Sequence, residues 1–532
     1  MKIQTTAFLL LAIAFFACKS GSDSTPQPVV IRDTSINPTN AFSELFLDSA
    51  GLEAFILREQ LHDSMATRMR NFYKGRNYEY AWFFRDGIAH YASTFLHLQN
   101  DYMNYARDSS IYNPALSSLE AALSDTTQYH PDDTTRQNNE LHLTRQFFRY
   151  ARVAYSGRRD INTKDLNWFI PRKKIDMIGL LYSMLVHKGE NLTQYEPVNQ
   201  QYNLLKEHLL KYYAIEKGDG WTPIEAGKKS LREGDSSITV AQLKKRLRLY
   251  GDYEDADSSH VFTPALTEAI RGYQRRYGLK DDGVAGPALI KEMNQPVENR
   301  IRQILINMER MRWIPAQPKG DFLLVNIPEF RLHVYEDGAY KWNMGVVVGT
   351  AAHSTVIFNG DMKYIVFSPY WNVPPGILKN EVLPGIKKNP NYLTRHNMEW
   401  NGGAVRQKPG PSNSLGLVKF LFPNSYNIYL HDTPPKNLFN ESKRAFSHGC
   451  IRLSEQKKLA EYLLRDDSTW TSDKITKAMN AGKERYVTLK QTIPVFIGYF
   501  TAWVDRDGKL NFRDDIYGHD AKMARQLFAN GK

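Results

Sequence analysis

Apolar residues recur at three- and four-residue steps through the first half of the chain and at two-residue steps through much of the second, so the pattern predicts a helical half and a mostly β half. Leu45, Leu52, Phe55 and Ile56, then Phe84, Ile88, Tyr91, Ala92, Phe95 and Leu96, follow the helical step, as do Leu141 to Tyr155 and Ile175 to Val186. A helical domain over 42–236 follows. Its acids and arginines read as a solvated face and its aromatics as core or interaction surface. Thr239 to Leu249, with Val240, Leu243 and Leu247 on one face, opens a smaller unit over 237–293. Phe262-Thr263-Pro264 starts its second helix, Gly278 caps that helix, and Gly286-Pro287 starts a third. A connecting helix over 294–320 carries Val297, Ile301, Ile304, Leu305, Met308 and Met311 or Arg312 along one stripe before Pro315 ends it.

From Asp321 the period is two. Phe322 to Ile327, Arg331 to Tyr335, Tyr340 to Val348 and Lys363 to Phe367 read as strands, with Asp337-Gly338 as a tight turn. Asn427 to Leu430 is a short strand that delivers His431. Ser454 caps a helix through Leu464, and two late strands flank Asp505 to Gly508. Residues 375–415 carry many glycines and prolines, do not read as compact sheet, and suggest an inserted lid. The fold class is multidomain α+β, with 321–532 as the mostly β domain and C-terminal extension.

Length adds that more than one core is present: 532 residues with 42% hydrophobic content support two to four domains. The formal charge of +12 favours acidic partners. Basic residues are spread along the chain rather than gathered in a tract, so no nucleic acid is expected. Lys2, the apolar run Ala7 to Phe16, too short to span a bilayer, and Ala17 before Cys18 form an export signal over 1–17. This segment resembles a bacterial lipoprotein signal, which implies lipidation of Cys18 and anchoring to a membrane, the outer membrane in preference to the inner. Residues 18–41, rich in Ser, Thr, Pro and Asp, read as a disordered tether.

The chain has two cysteines, and with Cys18 at the end of the signal only Cys450 lies in the folded body. A lone exported thiol is exposed to oxidation, a risk that chemistry at the thiol would explain. His448 lies two positions upstream and His431 nineteen, so either can serve as the base that a cysteine nucleophile needs. A small buried hydrophobe is the bland alternative. Zinc is a third, on His431, His448 and Cys450, but no fourth ligand or paired C-x-x-C lies nearby, so neither metal nor other cofactor is expected.

His431, fifteen intervening residues, then Ser447-His448-Gly449-Cys450-Ile451-Arg452, resembles the signature of L,D-transpeptidases with the YkuD-type catalytic domain. Asn326-Ile327-Pro328, Val346-Val347-Val348-Gly349, Tyr370-Trp371-Asn372-Val373-Pro374-Pro375, Arg406 to Pro411 and Tyr429 to Pro434 are similar to the large scaffolded members of that family. The unit over 237–293, with Tyr273-Gln274, Gly278-Leu279, Asp282-Gly283 and Gly286, resembles the three-helix peptidoglycan-binding domain. The resemblance implies a periplasmic enzyme of cell wall biogenesis and cell shape that acts on peptidoglycan stem peptides. A tetrapeptide stem would be attacked at its third residue with release of D-alanine, and the thioester passed to a second stem to give a 3→3 cross-link. It implies sensitivity to carbapenem-type β-lactams as well.

In that scheme Cys450 is the nucleophile and His431 its base, oriented by a backbone carbonyl, since the side chain of the adjacent Asp432 points the opposite way along an extended segment. Gly449 permits close backbone approach, and the Cys450 amide, with that of Gly449, is a candidate oxyanion donor. His448 lines this hole or holds the loop. Ser447 is a candidate substrate contact or hydrogen-bonds within its loop. Arg452 binds a stem carboxylate or forms a structural ion pair. Tyr370, Trp371 and Asn372 wall a donor groove, or the two aromatics pack in a core. Two other classes stay open: a hydrolase, in which water resolves the thioester, and a non-catalytic wall-binding scaffold that recruits other cell-wall enzymes.

Overall fold

The computed structural model describes residues 43–124, 129, 131–190, 196–218, 221–225, 230–315 and 319–528. The expected export signal, Cys18 and the tether lie outside them. The chain divides into two compact units, one of 43–89, 129 and 131–144 among the described residues, the other of the remainder.

In the smaller unit, helices Ser49–Arg58 and Asp63–Gly75 pack Leu52, Phe55, Met69, Phe72 and Tyr73 into a core. Phe84 and Ile88 do not continue a helix as their spacing predicts. They belong to a hairpin, Phe83–Phe84 against Gly87–Ile88, because Arg85-Asp86 turn the chain and Gly87, at φ +139°, starts the return strand, a signal that the apolar count overlooks.

The larger unit holds helices His90–Ala106, Met177–Val186 and Gln200–Lys217, and three further helices, Ile238–Leu249, Pro264–Arg276 and Pro287–Met293. The last three bury Val240, Leu243, Leu247, Leu266, Ile270, Tyr273, Leu289 and Met293. Ser237 and Thr263 hydroxyls cap the first two of them, and Gly278, at φ +67°, follows the end of the second.

Helix Val297–Trp313 departs from the predicted single stripe: every residue from Ile304 to Trp313 is buried. Most of its polar groups are matched inside the protein, with Arg310 Nε and Nη2 left without a hydrogen-bond partner among the described residues. Glu309 accepts from the Trp313 indole at 2.8 Å, the Arg158 amide at 2.7 Å and the Arg312 guanidinium at 2.6 Å. Arg312 also donates to the Ala154 carbonyl at 3.0 Å and the Tyr202 hydroxyl at 2.9 Å. Arg310 pairs with Asp520 of the C-terminal helix His519–Leu527 at 2.6 Å.

The β domain is built on nine strands: β1 Phe322–Asn326, β2 Arg331–Glu336, β3 Ala339–Gly349, β4 Asn359–Phe367, β5 Val418–Leu421, β6 Leu430–His431, β7 Ala445–Ser447, β8 Ile451–Leu453 and β9 Arg485–Gly498. Their order is β7-β3-β8-β6-β5-β4-β9-β1-β2, and a β2–β3 pairing links the last strand back to β3. Strands β5, β7, β8 and β9 and helices Ser472–Met479 and His519–Leu527 have no counterpart in the sequence reading. The first three are too short to show a period, and β9 contains Pro494, which argues against a central strand. Nor is 427–430 the strand: Asn424 folds that stretch into a turn by accepting the Tyr426 and Ile428 amides, and the strand is 430–431. The helix after β8 is capped at Glu455 rather than Ser454, whose amide donates to the Gly345 carbonyl at 3.1 Å.

Residues 375–415 are more ordered than their composition suggests. A hairpin, Met398–Asn401 with Ala404–Gln407, pairs with Trp371–Asn372, and Val373, Val382 and Val405 form a small core against which Trp371, Ile377 and Met398 pack.

Removing the Glu309 carboxylate by Glu309→Ala leaves Arg312 buried and unpaired, a loss of about 3–5 kcal/mol. The exposed Arg302–Glu298 pair on the same helix, at 2.7 Å, is the contrast: Glu298→Ala is expected to cost at most about 0.5 kcal/mol. Urea unfolding of the two variants checks the difference.

Candidate active site

Strands β6 and β8 run parallel, with Leu430 level with Ile451 and His431 level with Arg452. Cys450, just before β8, is therefore level with Tyr429. Alternate residues share a face, so Tyr429, His431, Cys450 and Arg452 lie on one side of the sheet. One strand spacing across and two residues along separates the backbones of Cys450 and His431 by roughly 8 Å, a span their side chains can close.

His431 is buried, and its Nδ1 lies 2.5 Å from the backbone carbonyl of Asp432. A carbonyl only accepts, so Nδ1 carries the proton and Nε2 keeps its lone pair. Burial, reinforced by the Arg452 charge, pushes the imidazole pKa down to about 3. The Asp432 side chain is engaged elsewhere: it accepts the Leu417 and Thr433 amides at 2.8 and 2.7 Å and the Lys436 ammonium at 2.6 Å. The Cys450 thiol is half-buried, 3.6 Å from the Asn427 carbonyl. Burial raises its pKa, opposed by hydrogen bonds from the Tyr429 amide and hydroxyl and by the Arg452 charge. The resting pair is therefore a neutral thiol beside a neutral imidazole, not the ion pair that a cysteine and histidine suggest by themselves.

The loop of Cys450 is fixed by its neighbours. Gly449 sits at φ +110°, a conformation that favours glycine. A Cβ on Gly349 would fall 2.0 Å from the His353 carbonyl and 3.1 Å from the Gly449 Cα. Buried Thr355 ties the two glycines together, accepting the Gly349 amide at 2.9 Å and donating to the Gly449 carbonyl at 2.8 Å. The Tyr517 hydroxyl donates to the Gly349 carbonyl at 2.7 Å. From the scaffold side, Asn167 and Phe169 exchange backbone hydrogen bonds with Ile357 at 2.9 and 2.7 Å.

Ser447 is committed within the loop: its hydroxyl donates to the Cys450 carbonyl at 2.5 Å and accepts the Gly449 amide at 3.1 Å. The hydroxyl thus takes the loop role, one of the two expected of it, and not that of a substrate contact; the Gly449 amide is occupied, which corrects its expected place as a second oxyanion donor. His448 is exposed, its ring 4.9 Å from that of His353. Arg452 lies beside Cys450 and His431 with a buried Nε that no hydrogen-bond acceptor meets among the described residues. Trp371 packs into the insertion's core. Tyr370 lies 4.0 Å beneath the Arg406 guanidinium, and Asn372 is exposed beside it. No group of three His, Cys, Asp or Glu side chains is gathered for a metal among the described residues.

Tyr429, Thr355 and Tyr517 escape the sequence reading. Only Tyr429 has a signal, its place two residues before His431; its ring lies 5.7 Å from the imidazole.

Three family models match the chain. Residues 320–483 match the L,D-transpeptidase catalytic domain (YkuD), 67–209 the Scaffold domain, and 236–293 the "Putative peptidoglycan binding domain". A Haemophilus influenzae protein named "Putative L,D-transpeptidase" is 34% identical over 246 residues, covering 42% of this chain and 49% of that protein. The chain thus spans about half the length of that relative. Solved L,D-transpeptidases from Xylanimonas cellulosilytica and Stackebrandtia nassauensis are 14% and 16% identical, each covering 52% of this chain and 100% and 98% of theirs. Their TM-scores are 0.19 and 0.21, too low to carry an argument.

The tautomer is open to measurement. In ¹⁵N NMR, His431 is expected to keep a protonated Nδ1 and an unprotonated Nε2 from pH 8 to pH 5, with no titration near its ordinary value. A midpoint near 6.5 would contradict the burial described above.

Proposed function

We propose that this chain, which carries a YkuD L,D-transpeptidase catalytic domain behind a scaffold and a peptidoglycan-binding domain, joins peptidoglycan stems by 3→3 cross-links through a thioester on Cys450. The observation that carries this reading is the shared sheet face of Cys450, Tyr429, His431 and Arg452.

Arg452 would receive a carboxylate of a tetrapeptide stem, which meets the guanidinium's unused donor capacity. The thiol attacks the carbonyl of the third residue as its proton passes to Nε2 of His431. Because both groups start neutral, proton transfer accompanies attack rather than preceding it. The imidazolium is transient, and the Asp432 carbonyl hydrogen-bonded to Nδ1 stabilises it. The tetrahedral oxyanion takes the Cys450 amide and the Tyr429 hydroxyl as donors. When the carbon–nitrogen bond breaks, the terminal D-alanine leaves as an amine with the proton from His431. The amine on the third residue of a second stem then attacks the thioester, gives its proton to His431, and releases the thiolate to be reprotonated.

His448 belongs to the loop rather than the oxyanion site in this reading, since its ring pairs with that of His353. Boundaries at 236/237, 293/294 and 320/321, export to the periplasm and lipid anchoring at Cys18 complete the proposal. Support for the last two is the signal-like segment Lys2 to Cys18, which would hold a wall-binding enzyme within reach of its polymer.

Incubated with disaccharide-tetrapeptide, the mature chain is expected to give a cross-linked dimer with loss of D-alanine by mass spectrometry, and Cys450→Ala none. Tripeptide alone would indicate hydrolysis; no Cys450-dependent product would favour the scaffold class. Tyr429→Phe is expected to slow thioester formation by about 10²-fold at unchanged folding stability, as loss of one oxyanion donor does.

A further inference from the structure

Where the first residues of β9 meet the helix Ser472–Met479, the catalytic domain holds a cavity of ≈ 740 Å³ lined by Trp470, Lys474, Lys477, Lys483, Glu484 and Arg485. The Arg485 guanidinium lies 4.6 Å over the Trp470 ring, and that ring packs on Phe367 of β4 at 5.1 Å, so the sheet fixes the floor. Lys474 donates to the Thr469 carbonyl at 2.8 Å. The acid in the lining is committed elsewhere: the Glu484 carboxylate accepts the Tyr370 amide at 2.9 Å and lies 3.9 Å from the Lys419 ammonium. Nearby Asp467 pairs with Lys490 at 3.2 Å. Four cations therefore share one recess whose own carboxylate does not neutralise them, and an entering anion would relieve their repulsion. The recess is too large for a single inorganic ion and falls in the size range of sites for small organic ligands. A concave, aromatic-floored site suits a discrete ligand better than a flat membrane surface.

Peptidoglycan stems, the substrate of the proposed reading, carry free carboxylates that four cations would receive. His431, Lys419, Val366 and Tyr486 are register neighbours across β6, β5, β4 and β9. Three strand spacings, roughly 14 Å, separate His431 from Tyr486 beside the cavity. Phe367 and Arg485 alternate with Val366 and Tyr486, so the recess opens on the sheet face opposite His431 and Cys450, and a ligand in it is distinct from the group at the thiol; Glu484 alone turns to the catalytic face, toward Lys419 and the Tyr370 amide. We infer that this cavity binds the carboxylates of a second stem peptide on the peptidoglycan while another stem reacts at Cys450. The inference rests on the proposed transpeptidase reading and adds a polymer-holding site to it.

The test uses the mature full chain with Cys450→Ala, titrated with a soluble muropeptide dimer. The indole ¹⁵N–¹H signal of Trp470 reports this cavity and not the separate wall-binding domain. The signal is expected to shift on binding. Lys477→Gln/Lys483→Gln/Arg485→Gln is expected to weaken that binding by about tenfold, with Lys477→Arg/Lys483→Arg binding as the parent does. A dimer with amidated carboxylates is expected to bind the parent as weakly as the free-acid dimer binds the triple glutamine variant. An unmoved Trp470 signal, or equal binding by the triple variant or the amidated dimer, would overturn the proposal. So would a stronger shift with anionic phospholipid vesicles, which would give the site to phosphate. Carbapenem acylation of Cys450 is expected to be the same with and without the triple substitution. Failure of acylation in the unsubstituted chain would instead sink the transpeptidase reading and leave the binding result standing.

Discussion

The larger unit depends on a helix that is buried all round yet carries charge. Between Ile304 and Trp313 the chain places Asn307, Glu309, Arg310 and Arg312 where water cannot reach them. A buried charge without a partner costs several kcal/mol, so neighbouring elements must supply partners. They do so from widely separated parts of the chain: Ala154 and Arg158, Tyr202, Thr501 and Asp520. Apolar packing alone would let these elements slide; the directional bonds to one helix fix their register. A buried ion network of this kind specifies an arrangement more than it stabilises one.

The two groups proposed to react follow a different electrostatic logic. Burial disfavours charge on both Cys450 and His431, raising one pKa and lowering the other, and a neutral thiol resists oxidation better than a thiolate. Arg452 keeps its charge beside them and disfavours a second cation on His431. Reactivity on the proposed reading comes from placement, with substrate completing the electrostatics when it displaces water.

Legibility in the sequence tracked local pattern. The hairpin through Asp337-Gly338, the helix start at Phe262-Thr263-Pro264, and the strands β1 to β3 are legible directly because period and turn chemistry agree there. The Ser447 to Arg452 stretch is legible as chemistry, and strand alternation turns the Asp432 side chain away from His431 and leaves a backbone carbonyl at its Nδ1. What could not be read depends on distant partners. Strands β7 and β8 have three residues each and exist because β3 and β6 hold them. Tyr517 and Thr355 reach the Cys450 loop only through the closed chain, and nothing local to Ser447 shows that its hydroxyl takes the Gly449 amide. Trp371 looked as suited to a groove wall as to a core, and the packing of 375–415 decided for the core.

The ties from Thr355 and Tyr517 to the two glycines bear on the order in which the molecule is made. A chain emerges from its N-terminus, so Asn167 and Phe169, which bond to Ile357, are present long before Cys450, whereas Tyr517 follows it. The Tyr517 hydroxyl braces Gly349 and the Thr355 amide, and Thr355 in turn holds the Gly449 carbonyl, so the support behind the thiol loop is completed only when that hydroxyl arrives. A chain cut short of Tyr517 thus carries the cysteine without this tie, and the order of synthesis delays the surroundings of the proposed nucleophile until position 517 has been made.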